Sequence, residues 1–163
     1  MNRWRESCMR RTIIVLTFSL LVVVPMMAAV ASRPIYDEKA NPQQQIASAL
    51  ATAAKSGKNI LLIFGANWCS DCHALDAQMH KSDLAELIGK NYVVVKIDVG
   101  RFDKNLEVGK KYGVPIRRGI PAIAVLGAHG KLLYAQNQGE FANAAQMPSQ
   151  DFRAFFERWK PKK

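Results

Sequence analysis

Two cysteines, Cys69 and Cys72, stand three positions apart in Trp68-Cys69-Ser70-Asp71-Cys72-His73, after the apolar run Ile60-Leu61-Leu62-Ile63-Phe64-Gly65 and the short Ala66-Asn67 turn. A strand that turns into a helix here places Cys69 where free backbone N–H groups and the positive end of the helix dipole stabilise a thiolate. Such a cysteine is a nucleophile. Cys72 lies about one turn further on, on the same face, so it can attack a mixed disulfide formed at Cys69 and close an internal disulfide. The expected chemistry is thiol–disulfide exchange, with Cys69 attacking and Cys72 resolving.

The rest of the composition agrees with a chemical use of the pair. The chain has 163 residues, 49% of them apolar, and three cysteines, which suits one domain of about 100 to 150 residues plus an extra piece. The extra piece is N-terminal: Arg3, Arg5, Arg10 and Arg11 precede an almost wholly apolar stretch from Thr12 to Val24, and Ala29-Val30-Ala31 offers a small-residue cleavage site before Ser32. This is the three-part pattern of an export signal over residues 1–31. The runner-up is an uncleaved anchor, with residues 12–31 as a tether. Cys8 falls inside this segment and is given neither a disulfide nor a lipid-anchor role. In an exported protein a cysteine pair is usually a structural staple, but two cysteines this close cross-link almost no chain and stabilise little by loop closure.

Charge narrows the partners. The segment 1–31, with four arginines against Glu6, accounts for +3 of the formal +10, leaving +7 for residues 32–163. Apart from Lys110-Lys111, Arg117-Arg118 and the Lys160 to Lys163 tail, the bases are scattered, with no basic stripe interleaved with aromatics. Nucleic acid is therefore not expected as a partner. The excess charge serves solubility or attraction to acidic partners and membrane surfaces.

The elements that must position the cysteines follow in order. Residues 32–42 read as a linker with a short edge strand at Ile35-Tyr36, and the domain proper spans 43–163. Asn41 and Pro42 form a cap and first-turn proline, and Ile46, Ala49, Leu50 and Ala53 recur at helical spacing up to Gly57. Ile60–Gly65 fits a strand buried on both faces. The helix that starts at the cysteines turns Leu75 and Met79 inward and breaks near His80-Lys81; Ser82 is read as the cap of a further helix, Asp83–Ile88, which Gly89 closes. Tyr92–Asp98 is a second strand, parallel to the first through a right-handed crossover. A short helix, Leu106–Tyr112, ends at Gly113. Pro121 leads into a hairpin, Ala122–Leu126 and Lys131–Ala135. Ser149 is read as the cap of a last helix with the stripe Phe152, Phe155, Phe156 and Trp159. Gln136–Met147 shows no clear pattern.

Two blocks, Ile60–Cys72 with its Trp68-Cys69-x-x-Cys72 and Tyr112-Gly113 through Arg118-Gly119-Ile120-Pro121 into a strand, carry a family resemblance. The chain resembles thioredoxin-like thiol–disulfide oxidoreductases over about residues 43–160. It looks nearest in kind to exported members such as the C-terminal domain of bacterial transmembrane disulfide reductases. The resemblance implies an α/β thioredoxin fold, a central mixed sheet of a parallel strand pair plus an antiparallel C-terminal hairpin, with helices on both faces. It further implies a cis Ile120-Pro121 bond facing the cysteines, backbone docking of substrate at Ile120, and a groove shaped by Trp68 and Gly119. The function implied is reduction of protein or peptide disulfides in the periplasm or another exported compartment. The partners would be those disulfides and a thiol electron donor, a membrane disulfide reductase being one candidate. No cofactor beyond the redox-active pair and no metal are expected.

The sequence also departs from that family. Thioredoxin has a buried aspartate six residues before its first cysteine, where this chain has Ile63, so another group must serve Cys72 or its deprotonation is slower. Lys96 resembles that aspartate's lysine partner, but without the acid it reads as a snorkelling surface lysine. Ser70-Asp71 replaces the common Gly-Pro; Asp71 opposes a thiolate at Cys69 while His73, if protonated, favours it. Cys69 is thus expected near the upper end of the range of roughly 3.5 to 7 seen in related motifs, which suits a reductant. Val114-Pro115-Ile116-Arg117 lengthens the approach to Pro121 and points to different partners.

Four alternatives stand beside this reading. An oxidant or isomerase would use the same fold. Cys69-Ser70-Asp71-Cys72-His73 also spells the c-type haem attachment motif, with His73 and either Met79 or Met147 as axial ligands. A zinc site would combine the cysteines with His73, His80 or His129, although the spacing supplies no second ligand pair. A redox-inert binding module would leave the cysteines without turnover.

Overall fold

A computed structural model of the chain describes residues 33–162. The export signal read at residues 1–31, with Cys8, lies outside the described residues, and among those described no helix is long and apolar enough to cross a membrane.

Helix α1, Pro42–Ser56, starts as its sequence dictates: Asn41 is extended and its side chain accepts from the Gln44 N–H, Pro42 occupies the first turn, and Gly57 ends the helix in the left-handed conformation at φ +70°. Strand β1, Asn59–Gly65, is buried along its whole length. Helix α2, Ser70–Met79, gives way at His80 to helix α3, Ser82–Asn91. Strand β2, Tyr92–Asp98, and the short helix α4, Leu106–Lys111, follow, with Gly113 at φ +70° beyond it. Strands β3, Ala122–Leu126, and β4, Leu132–Ala135, form the hairpin, and helix α5, Ser149–Trp159, closes the fold.

The sheet order is β2-β1-β3-β4. Strand β1 pairs parallel with β2 and antiparallel with β3, and β3 pairs antiparallel with β4. Alternation along β1 divides the core. Ile60, Leu62 and Phe64 pack with Ile46, Ala49, Ala53 and Val108 of α1 and α4. Leu61 and Ile63 pack with Leu75, Leu84, Ile88, Phe152 and Phe156 of α2, α3 and α5. The fold is the expected mixed sheet with helices on both faces.

Several local expectations need correction. Ser82 is the first residue of α3 and not its cap; Lys81 holds the cap position with no side-chain bond, and the helix runs through Gly89 to Asn91. Pro148, not Ser149, precedes α5, and the Ser149 hydroxyl instead bonds Gln78 Oε1 at 3.1 Å. No strand forms at Ile35-Tyr36. The segment read as a linker packs on the body, with Tyr36 only 4% exposed. Gln136–Met147 contains the short turn Ala144–Gln146 and places Phe141 in the core against Phe152 and Phe155.

Phe152 is fully buried beneath the sheet. Phe152→Ala should lower unfolding free energy by roughly 3–5 kcal/mol in denaturant titrations of the oxidised protein; a loss under about 1 kcal/mol would place this ring outside the core.

Candidate active site

Strand β1 ends at Gly65, and the chain turns through Ala66, Asn67 and Trp68 into α2. Cys69 is the cap residue of α2: its backbone is extended and its Sγ accepts from the Cys72 N–H at 3.0 Å. The sulfur therefore sits where unpaired N–H groups and the helix dipole point. Cys69 and Cys72 are joined as a disulfide, with Cα atoms 5.2 Å apart. Cys72 is the deeper of the two, 1% exposed against 5% for Cys69.

The second block meets the first at this disulfide. The Ile120–Pro121 peptide bond is cis, and Cys69 Sγ lies 3.6 Å from the Ile120 carbonyl oxygen. Buried Gln136 supports the turn from below, its Nε2 donating to the Pro121 carbonyl at 3.5 Å and its N–H to the Ile123 carbonyl at 2.9 Å. Gly119, at φ +135°, lies so close to Ala142 that a Cβ would collide with it. The site residues Cys69, Cys72, Ile120, Pro121 and Gly119 are thus brought together.

Trp68 is half exposed beside them. Its Nε1 donates to the Gly100 carbonyl at 2.8 Å, its ring meets Phe102 edge-on at 5.9 Å, and the Arg101 guanidinium lies 5.8 Å from the ring centre. Asp71 and His73 are both engaged elsewhere. Asp71 Oδ1 accepts from the Ala145 N–H at 2.9 Å, tying the start of α2 to the segment before α5. His73 Nε2 donates to the Asn67 carbonyl at 2.8 Å and so braces the turn that leads into Cys69.

Beneath the sulfurs, Ile63 is 1% exposed and pairs in register with Lys96. Lys96 is not a snorkelling surface side chain: it forms an ion pair with Asp76, one turn beyond Cys72, both groups being partly buried. A carboxylate thus reaches this lysine from α2 and not from β1. Asp76, Asn67, Tyr36 and Asp98 escaped sequence reasoning. The available signal was Gly65, a glycine ending an apolar strand, whose missing side chain other groups must fill.

The haem alternative needs both sulfurs free for thioether bonds and His73 turned toward an iron, whereas here the sulfurs bond each other, His73 Nε2 is engaged, and Met79 is buried in the core. Among the described residues no three of His, Cys, Asp and Glu gather as metal ligands.

A Cys-x-x-Cys disulfide at a helix start, facing a proline-led strand on a four-stranded mixed sheet, defines the architecture of a thiol–disulfide oxidoreductase. The thioredoxin-like family model matches residues 41–128, more than half the chain, and the protein belongs to that family. Among solved structures, a disulphide isomerase from Xylella fastidiosa Temecula1 is 46% identical, covering 78% of this chain and 98% of its own, with a TM-score of 0.75. A thioredoxin from Thermus thermophilus is 20% identical, covers 69% of this chain and 81% of its own, and has a TM-score of 0.51. The germline-specific thioredoxin Deadhead from Drosophila melanogaster is 22% identical, with 71% and 92% covered and a TM-score of 0.52. These two thioredoxins share the fold. No curated protein matches the chain.

Asp71→Ala should leave the Ala145 amide without its acceptor and weaken the segment's attachment by about 1 kcal/mol. Hydrogen exchange at Ala145 should rise severalfold; unchanged exchange would show that the bond does not hold this segment.

Proposed function

We propose that the protein is an exported thiol–disulfide oxidoreductase that reduces protein disulfides through Cys69 and Cys72. The observation that carries this reading is the position of Cys69: cap of α2, bonded to Cys72, with the Ile120 carbonyl 3.6 Å from its sulfur. An extended substrate segment lying along Ile120 brings its own disulfide in line with Cys69, while Trp68 and Gly119 bound the groove. The export signal read at residues 1–31 supports a periplasmic or other exported location, and the protein's electron donor is then a thiol outside the cytoplasm.

The reductive cycle balances without a cofactor. Cys69 thiolate attacks one sulfur of the substrate disulfide; that bond breaks and the other substrate sulfur leaves as a thiolate that takes up a proton. Cys72, once deprotonated, attacks Cys69 Sγ and expels the remaining substrate thiol. Two electrons have passed to the substrate, and a donor dithiol restores the pair. Asp71 in the first turn of α2 disfavours the Cys69 thiolate relative to an uncharged residue there, which favours the oxidised protein and so a reducing direction.

The relative from Xylella fastidiosa, titled a disulphide isomerase, favours a second reading in which substrate thiols rather than Cys72 release the mixed disulfide. One pair of variants separates the two. Cys69→Ser should abolish insulin reduction, and full activity in it would refute a nucleophilic Cys69. Cys72→Ser should abolish reduction and accumulate mixed disulfides; if it still unscrambles mispaired ribonuclease at the wild-type rate, the isomerase reading holds. The reduction potential of the pair should lie near the roughly −270 mV of thioredoxin; a value close to the −120 mV or so of strong oxidants would reverse the direction.

A further inference from the structure

Tyr36 stands outside every motif, yet its buried phenol and the sulfur of the resolving cysteine both face Gly65. At Gly65 a Cβ would lie 2.6 Å from Tyr36 Cζ and 2.8 Å from Cys72 Sγ. The side chain that Gly65 lacks is thus the space that phenol and sulfur share. Asn67, in the turn leading to Cys69, fixes the segment there: its Oδ1 accepts the N–H groups of Ile35 and Tyr36, each at 2.9 Å, and its Nδ2 donates to the Tyr36 carbonyl at 3.0 Å.

Asp98 pairs in register with Gly65, and paired residues share a face of the sheet. It is 5% exposed, and its Oδ2 has no hydrogen-bond partner; Lys104 Nζ, on a half-exposed side chain, stands 3.6 Å away. A buried carboxylate oxygen with an ion-pair neighbour but no hydrogen bond needs an explanation. Asp76 also acts on Tyr36, but its carboxylate is already held by Lys96, with His80 Nδ1 3.6 Å from its Oδ2. Burial first, and then the charges of Asp76 and Asp98, push the Tyr36 phenol far above its ordinary value. It therefore remains a neutral hydroxyl, which can accept a proton on one side while donating on the other.

We propose that Tyr36 carries the proton Cys72 loses in the resolving step and passes it to Asp98. The proposal rests on the exchange reading given above. With Cys69 bonded to a substrate sulfur, the Cys72 S–H proton moves to Tyr36 Oη as the Tyr36 O–H proton moves to the Asp98 carboxylate. Cys72 thiolate then attacks Cys69 Sγ, the bond from Cys69 to the substrate breaks, and the substrate thiolate takes a proton from water. Asp98 returns its proton to water. Ile63 cannot accept a proton, and the carboxylate that does so comes from the end of the adjacent strand.

Single-turnover mixing of the reduced full chain with a disulfide-bonded peptide, followed by acid quench and mass spectrometry, resolves attack from resolution. Tyr36→Phe keeps the ring and removes the hydroxyl: attack should proceed at the wild-type rate, while resolution slows by roughly 100-fold, the lower end of what a positioned proton acceptor contributes. The mixed disulfide then accumulates, and the resolving rate should climb with pH where the wild type is flatter. Asp98→Asn, which retains Tyr36, should slow the same phase. Resolution at the wild-type rate in both variants overturns the proposal, as does slowing by Asp76→Asn without slowing by Asp98→Asn. A wild-type protein that never passes through a mixed disulfide overturns the exchange reading itself, a result distinct from either.

Discussion

The sulfur that attacks must be reachable by a substrate, whereas the sulfur that resolves must be close to it and shielded from water. One turn between β1 and α2 meets both demands. Strand β1 lies between β2 and β3 with both faces covered, so its end at Gly65 is held on every side. The chain then needs only Ala66, Asn67 and Trp68 to reach the helix start, and the bonds from Asn67 and His73 leave that turn little freedom. Cys69 emerges at the mouth of α2 and Cys72 one turn inside.

Elements with strong local patterns were legible in the sequence. The apolar run of β1, the β-branched run of β2, the proline-led hairpin, and the asparagine and glycine that bracket α1 each carry their own signal, and the two motif blocks follow from their order. Helix starts read from single serines were not. Ser82 and Ser149 both have the right residue type one position too late, and tertiary packing sets those boundaries: Ser149 turns its hydroxyl to Gln78 on α2. The segments 33–41 and 136–147 were illegible because their order comes from distant partners. Tyr36 is buried through bonds to Asn67, and Phe141 through rings on α5. No periodicity can report a contact thirty residues away.

The electrostatics beneath the site show how one substitution is absorbed elsewhere. A charged residue at Ile63 would lie between β2 and β3, paired in register with Lys96 on one side and Ile123 on the other. The chain keeps the lysine and supplies its carboxylate from Asp76 instead. Moving the acid from a strand to α2 leaves Ile63 free to join Leu61, Leu75 and the aromatic residues of α5 in the core. The polar function then sits at the edge of that core, where Lys96 and Asp76 retain partial exposure and their desolvation cost is smaller.

The least patterned segment borders the approach to Pro121. Residues 136–147 run beside the turn that leads to Pro121: a Cβ on Gly139 would lie 2.8 Å from the Arg118 carbonyl, and Gly119 is closed off by Ala142. The same segment is bonded at Ala145 to Asp71, one of the two residues between the cysteines. That bond ties the segment to the first turn of α2. On the proposed reading, a substrate strand aligned on Ile120 would meet this segment on the Gly119 side and the Trp68, Arg101 and Phe102 group on the other. Ala142, half-buried against Gly119, lies on the first side, while the opposite bank offers an exposed indole and a guanidinium.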